Sequence, residues 1–148
     1  MPYPPKVGQA RSHTPAPANG ASIVASANII ASTTSGVIAY SRNPERTPVI
    51  ATLARVHIKV GSSAACTLDI GTAATNVLSD NQMDGVSVNA AANTVYDNIE
   101  DQGTNGTSRQ YVPAGGFFTA AVASGDANGL QADFYWNYQL LDGGGIAP

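Results

Sequence analysis

The chain has 148 residues and a net charge of −3, yet only 11% of it is charged, against roughly 25% in an ordinary soluble domain. A single cysteine, Cys66, excludes an intrachain disulfide and a cysteine-based zinc site. No apolar run approaches the ~18 residues of a helical membrane span.

The length suits one domain. Gly, Ala, Ser, Thr and Asn stand where charges would normally be, which suits a surface that faces other protein rather than bulk water. Charge is also unevenly placed. Residues 1–59 carry Lys6, Arg11, Arg42, Arg46, Arg55 and Lys59 against Glu45 alone, a balance of +5. Residues 60–148 carry Arg109 against nine carboxylates, a balance of −8. A basic front and an acidic remainder can attract each other between copies or within one fold, or the front can seek an acidic partner.

Residues 1–20 hold five of the nine prolines: Pro2, Pro4, Pro5, Pro15 and Pro17. Proline fixes φ and removes backbone donors, so an extended, polyproline-like arm is expected here. The segment has no apolar h-region, so a secretory signal is not expected and synthesis in a cytoplasm is. The arm is expected to lie on a neighbouring subunit, with Lys6 and Arg11 among its contacts.

Residues 21–41 are rich in β-branched and small residues and read as two or three short strands, broken near Ser26–Asn28 and at Ser35-Gly36. Arg42–Pro48 reads as an exposed basic loop containing Arg42 and Arg46. Leu53–Val60 alternates cleanly, with Ala54, Val56, Ile58 and Val60 on one face and Arg55, His57 and Lys59 on the other. Gly61-Ser62-Ser63 then predicts a β-hairpin back through Ala64–Ile70, with Cys66, Leu68 and Ile70 inward. Between Gly71 and Asp84 the chain is polar, with Val77, Leu78 and Met83 as anchors. A turn is expected at Asp84-Gly85, strands at Val86–Ala90 and Thr94–Ile99, and a turn cluster over Asp101–Ser108. Phe117–Ser124 reads as a strand with Phe118, Ala120 and Val122 on one face, and Gly125–Gly129 as a tight connection.

The last strand candidate, Leu130–Leu141, is the strongest. Its even positions are Leu130, Ala132, Phe134, Trp136, Tyr138 and Leu140, and its odd positions are polar until Leu141. A helical period would mix Gln131, Asp133 and Asn137 into the apolar stripe, so the segment is a strand. It holds the only tryptophan, and the core is expected to assemble over its even face. Its odd face, with Tyr135, Asn137, Gln139 and Leu141, suits contact with another protein. The whole reads as an all-β protein: an antiparallel β-sandwich, plausibly of jelly-roll type, over residues 21–142, with the extended arm before it and a Gly-rich tail, 143–148, after it.

Chemistry is sparse. His13 and His57 have no ligand set around them, and His57 stands between Arg55 and Lys59. No GxSxG segment is present, and a phosphate loop opening a helix is absent as well. The acidic run Asp97–Asp101 lacks EF-hand spacing and reads as a solvated loop rather than a calcium site. Asn105-Gly106-Thr107 matches a glycosylation sequon but reads as a turn. The stripe Arg55, His57, Lys59 has no interleaved aromatic and the pI is about 5.0, which argues against direct nucleic-acid binding. No enzyme activity and no cofactor are expected.

Three runs carry a resemblance: VHIKVGSSAACTLDIG (56–71), DGVSVNAAANTVYDNIEDQGTNGT (84–107) and VPAGGFFTAAVASGDANGL (112–130). Together they resemble the head decoration, or cement, proteins of tailed bacteriophages, over roughly residues 51–141. The resemblance implies a β-sandwich subunit on the capsid exterior, commonly a homotrimer, that bridges subunits of the major capsid protein and resists internal pressure. Lys6, Arg11, Arg42, Arg46, Arg55, His57, Lys59 and Tyr135 are then the interface candidates. The alternative is a receptor- or glycan-binding module with Tyr96, Tyr111 or Tyr135 as stacking residues. A hydrolase built on a carboxylate pair is a third reading.

Overall fold

A computed structural model describes residues 21–141. The expected arm (1–20) and tail (143–148) lie outside the described residues, and with them Lys6, Arg11 and His13.

The described chain is all-β, two antiparallel sheets packed face to face. Its strands are β1 (Ala21–Asn28), β2 (Gly36–Arg42), β3 (Val49–Val60), β4 (Cys66–Ala73), β5 (Met83–Ser87), β6 (Thr94–Asp97), β7 (Gln110–Val112), β8 (Phe117–Gly125) and β9 (Gln131–Leu140). One sheet runs β1-β9-β3-β6, with β7 also paired to β3; the other runs β2-β8-β4-β5. We call them the first and second sheet. The chain crosses from one sheet to the other at almost every connection, and only β4 and β5 are sequence neighbours that pair.

The strand over 131–140 keeps the alternation expected of it. Ala132, Phe134, Trp136 and Tyr138 are buried, while Asp133, Tyr135 and Asn137 lie on the other face. Phe134 and Trp136 stack at 6.2 Å between ring centroids, and Phe118 of β8 reaches across from the second sheet to within 5.7 Å of Trp136 and 6.2 Å of Tyr138. Those tilted contacts join the two sheets at the centre of the core. The core continues through Val49, Ala54, Val56 and Ile58 of β3 and Leu68 and Ile70 of β4. Cys66 is buried among them, and burial raises its thiol above the ordinary range, as expected of a small hydrophobe.

Several expectations are corrected. The predicted hairpin of Leu53–Val60 with Ala64–Ile70 does not form: β3 belongs to the first sheet and β4 to the second. The Gly61–Ser63 segment reverses the chain but also carries it across the sandwich. Its amides are taken by other loops, Ser62 N–H donating to Val88 O (3.0 Å) and Ser63 N–H to Asn128 O (2.8 Å). A bulge between Ile58 and Val60 turns Val60 out to solvent instead of into the core. β1 runs unbroken through Ser26–Asn28, because each of its residues has a partner on β9. Asp84-Gly85 is not a free turn but a bulge inside β5, with Gly85 at φ +81° opposite the step from Leu68 to Asp69. The strand expected over Val86–Ala90 is displaced to Met83–Ser87 accordingly. Of the three loop anchors, Met83 is buried, whereas Val77 and Leu78 are exposed.

Candidate binding face and an acidic cluster

The outward side chains of the first sheet form regular rows, because its strands pair in fixed register. Val24 (β1), Tyr135 (β9), Arg55 (β3) and Asp97 (β6) lie in one row. Ser26, Asp133, His57 and Val95 form the next, and Ser22, Asn137 and Leu53 lie on the opposite side of the first row. Three of the expected interface residues, Arg55, His57 and Tyr135, therefore meet within two adjacent rows, and Lys59 reaches the second of them through Asp133.

The charges on this face are largely compensated. Lys59 Nζ lies 3.2 Å from Asp133 Oδ1, and Ser26 Oγ donates to the same carboxylate at 2.7 Å. Those hydrogen bonds, Ser26 first and then Lys59, hold the Asp133 carboxyl below its usual range. His57 Nε2 is hydrogen-bonded to Asn93 Oδ1 at 3.0 Å. Arg55 is exposed and has no ion-pair partner among the described residues, and two apolar side chains are open as well, Val24 at 54% and Val95 at 50% exposed. Val24 adjoins Tyr135, whereas Val95 lies two strands away beyond His57, so the exposed valines stand on either side of the basic row of β3.

No family model, curated protein or solved structure matches the chain.

The other expected residues are dispersed. Arg42 ends β2 and places its guanidinium 5.8 Å from the centre of the Phe117 ring, on the second sheet. Arg46 is exposed in the loop after β2, beside the buried Glu45, whose Oε2 accepts a 2.7 Å hydrogen bond from Tyr138 Oη. Tyr96 packs against the core, so it offers no open ring face. Tyr111, 57% exposed, stands opposite Ile50 at the β7 end of the first sheet. The Asp97–Asp101 run is a self-capped turn: Asp97 Oδ1 accepts the Ile99 and Glu100 amides, and Asp101 Oδ2 accepts that of Asp97.

A group that the sequence reading did not single out lies on the second sheet. Asp69 of β4 is opposite Asp84 of β5, and Asp80 of the loop between them joins both, with ligand-type oxygens within 4.8 Å of one another. Asp69 is only 7% exposed. Burial pushes its carboxyl up, opposed by the Gly85 amide that donates to Oδ1 at 3.0 Å and reinforced by the negative charges of Asp84 and Asp80. Asn105 ties the outer two together, its backbone N–H donating to Asp84 Oδ2 (3.1 Å) and its Nδ2 to Asp80 Oδ2 (2.8 Å). No cation pairs with any of the three among the described residues; the ion pair found there is Lys59–Asp133.

The loop carrying Asp80 is pinned by Asn81, whose side chain behaves like a strand backbone. Its Oδ1 accepts from Thr72 N and its Nδ2 donates to Thr72 O, both at 2.9 Å. This brings Ser79 and Asn81 over Gly71, where a Cβ would stand 2.8 Å from Ser79 Oγ and 2.9 Å from its carbonyl. Beside Gly71 in register is Thr119 of β8, fully buried, with a hydroxyl that finds no hydrogen-bond partner.

Proposed function

We propose that this protein is a structural virion component that decorates and stabilises a bacteriophage capsid, sitting on the exterior and bridging subunits of the major capsid protein, with a homotrimer as its working form. The observation that carries this reading is the outward face of the first sheet: four strands wide, with Lys59 and Asp133 paired, Arg55 exposed, Tyr135 half-buried, and Val24 and Val95 open. The Lys59–Asp133 pair keeps its partners when water leaves, and the exposed Arg55 is free to meet an acidic group on the capsid. The low overall charge and the resemblance over residues 51–141 support the same reading.

The order β1-β9-β3-β6 facing β2-β8-β4-β5 also supports a sandwich of jelly-roll type, an architecture used by capsid and lectin domains alike. The arm over residues 1–20 is proposed to dock on a neighbour. An extended segment of that kind contributes main-chain hydrogen bonds over a wide surface, against a cost in ordering.

The test is co-sedimentation with capsids that lack the protein. Val24→Glu together with Val95→Glu is expected to abolish capsid occupancy while leaving a folded domain by circular dichroism. Deleting residues 1–20 is expected to do the same. Full occupancy by both variants would overturn the reading. A second reading, a glycan-binding module, draws on the exposure of Tyr111 on the same face as Tyr135. Binding on a glycan array that Tyr111→Ala removes would favour it over the capsid.

A further inference from the structure

We propose that two copies of this chain join edge to edge through β1, antiparallel across a two-fold axis at Val24, so that the first sheet continues from one copy into the other. The contact adds to the proposed capsid role without resting on it.

The two sides of the sandwich end differently. Native sheet edges are kept from pairing by shortness, charge and bulges. On one side stand β6 and β7, of four and three residues, and β5, of five. β6 ends in Asp97 with Glu100 and Asp101 close behind, and β5 carries Asp84 at a bulge. On the other side stand β1 and β2, which adjoin across the sandwich. β2 keeps two guards, the bulge between Val37 and Ala39 and Arg42 at its end. β1 keeps none. It has eight residues, no proline, and a ladder with β9 that runs without a shift. From 21 to 41 the chain contains no Asp, Glu, Lys, Arg or His, while Val24, Ile30 and Tyr40 are exposed there.

The backbone of β1 is open as well. An edge strand spends alternate N–H and C=O groups on its one neighbour and points the others away. Among the described residues, no backbone–backbone hydrogen bond of Ala21–Asn28 goes anywhere but to β9. The outward set is what an added strand would take.

The side chains say which strand. The exposed row of β1 is Ser22, Val24, Ser26, the same read in either direction. Antiparallel pairing about Val24 sets Val24 against Val24 of the second copy and Ser22 against Ser26, with Ile23 against Ala25 on the half-buried face. Near such an axis every charge would meet its like, so an edge that pairs with itself must be uncharged, as this one is. A ring would instead need β1 to join a different edge of the next copy, and those edges are the short, acidic or bulged ones. A two-fold contact uses the open edge of both copies and leaves neither exposed.

The experiment is sedimentation of the full chain alone, over a range of concentrations, with the parent, Val24→Lys, Val24→Glu and an equal mixture of the two variants. The parent is expected at an even multiple of the 15.1 kDa chain mass. Each variant should halve the parent mass, since like charges then face each other at the axis. The mixture should restore it, because Lys then faces Glu, and a variant that had merely unfolded would not be rescued in this way. Amide exchange over Ser22–Ser26 should be on the order of tenfold slower in the parent than in Val24→Lys. A monomeric parent, an odd multiple of the chain mass, a mass unchanged in both variants, or no recovery on mixing would each overturn the inference. A parent that pairs only after residues 1–20 are removed would assign the edge to the chain's own arm, and would overturn it too. No capsid enters these measurements, so this inference and the proposed function fail separately.

Discussion

The two outer faces of the sandwich treat their polar groups in opposite ways. On the first sheet, Asp133 is drawn into hydrogen bonds with Ser26 and Lys59, and the open positions mix Arg55 with Val24 and Val95. On the second, Asp69 is buried beside two further acids, and Thr119 and Ala121 of the central strand are fully covered. The first face has paired Asp133 with Lys59 and spreads its remaining charge thinly. The second has gathered charges of one sign that nothing in the described chain neutralises. The same β-sandwich thus presents one face of mixed charge with open valines and one that gathers acids.

The largest expected effect tests the core that both faces share. Trp136→Ala removes the ring that joins Phe134 to Phe118, and should cost about 3–5 kcal/mol by urea denaturation. It should weaken both faces together, and a change confined to one sheet would show that the two sheets are less coupled than the packing implies. Next is Gly71→Ala. The added Cβ meets Ser79 and Asn81, so the loop over the second sheet must move, at on the order of 1–3 kcal/mol. The proposed docking through the first sheet should be unaffected, which sharpens the division.

The pH dependence of stability distinguishes the faces by sign. The folded-state pKa of Asp69 is raised above 3.8, so its contribution is fully present below that value and is lost as pH rises through the raised pKa. The folded-state pKa of Asp133 is lowered, so its contribution is present above 3.8 and is lost as pH falls through the depressed pKa. Urea melts in EDTA between pH 3 and 7 should show Asp69→Asn removing a decline with rising pH, and Asp133→Asn removing a decline with falling pH. Slopes of the same sign for the two variants would break the comparison. The smallest effect is expected from Lys59→Ala. An exposed ion pair of this kind contributes about 0–1 kcal/mol, and its loss should be most visible at low salt.

Much of the first face was legible in the sequence. Period-two alternation over Leu130–Leu141 and Leu53–Val60 separates inward from outward residues without knowledge of any partner, so Trp136 falls in the core and Arg55, His57 and Tyr135 fall on one surface. Alternation does not say which strand lies alongside. That is why Gly61–Ser63 reads locally as a hairpin turn and proves to be a crossing between sheets, and why Tyr96 reads as a free aromatic although its strand turns it inward against the core. The acidic cluster was hidden for a different reason. Asp69, Asp80 and Asp84 come from two strands and a loop, and their meeting depends on a bulge at Gly85 that reads as an ordinary Asp-Gly turn. The spacing of Asp80 and Asp84 directly before Gly85 was the available signal.

The position of β9 has a consequence for how the protein is made. It lies between β1 and β3, pairing Ala21 with Tyr138 and Val49 with Leu140, yet it is the last strand described. The first sheet therefore cannot close until β9 has been synthesised. Until then β1 and β3 expose unpaired backbone edges, and closure is slowed by the long loops that must form. Truncation before Gln131 would remove not a terminal ornament but the strand that joins the two sides of the sheet, leaving edges prone to association.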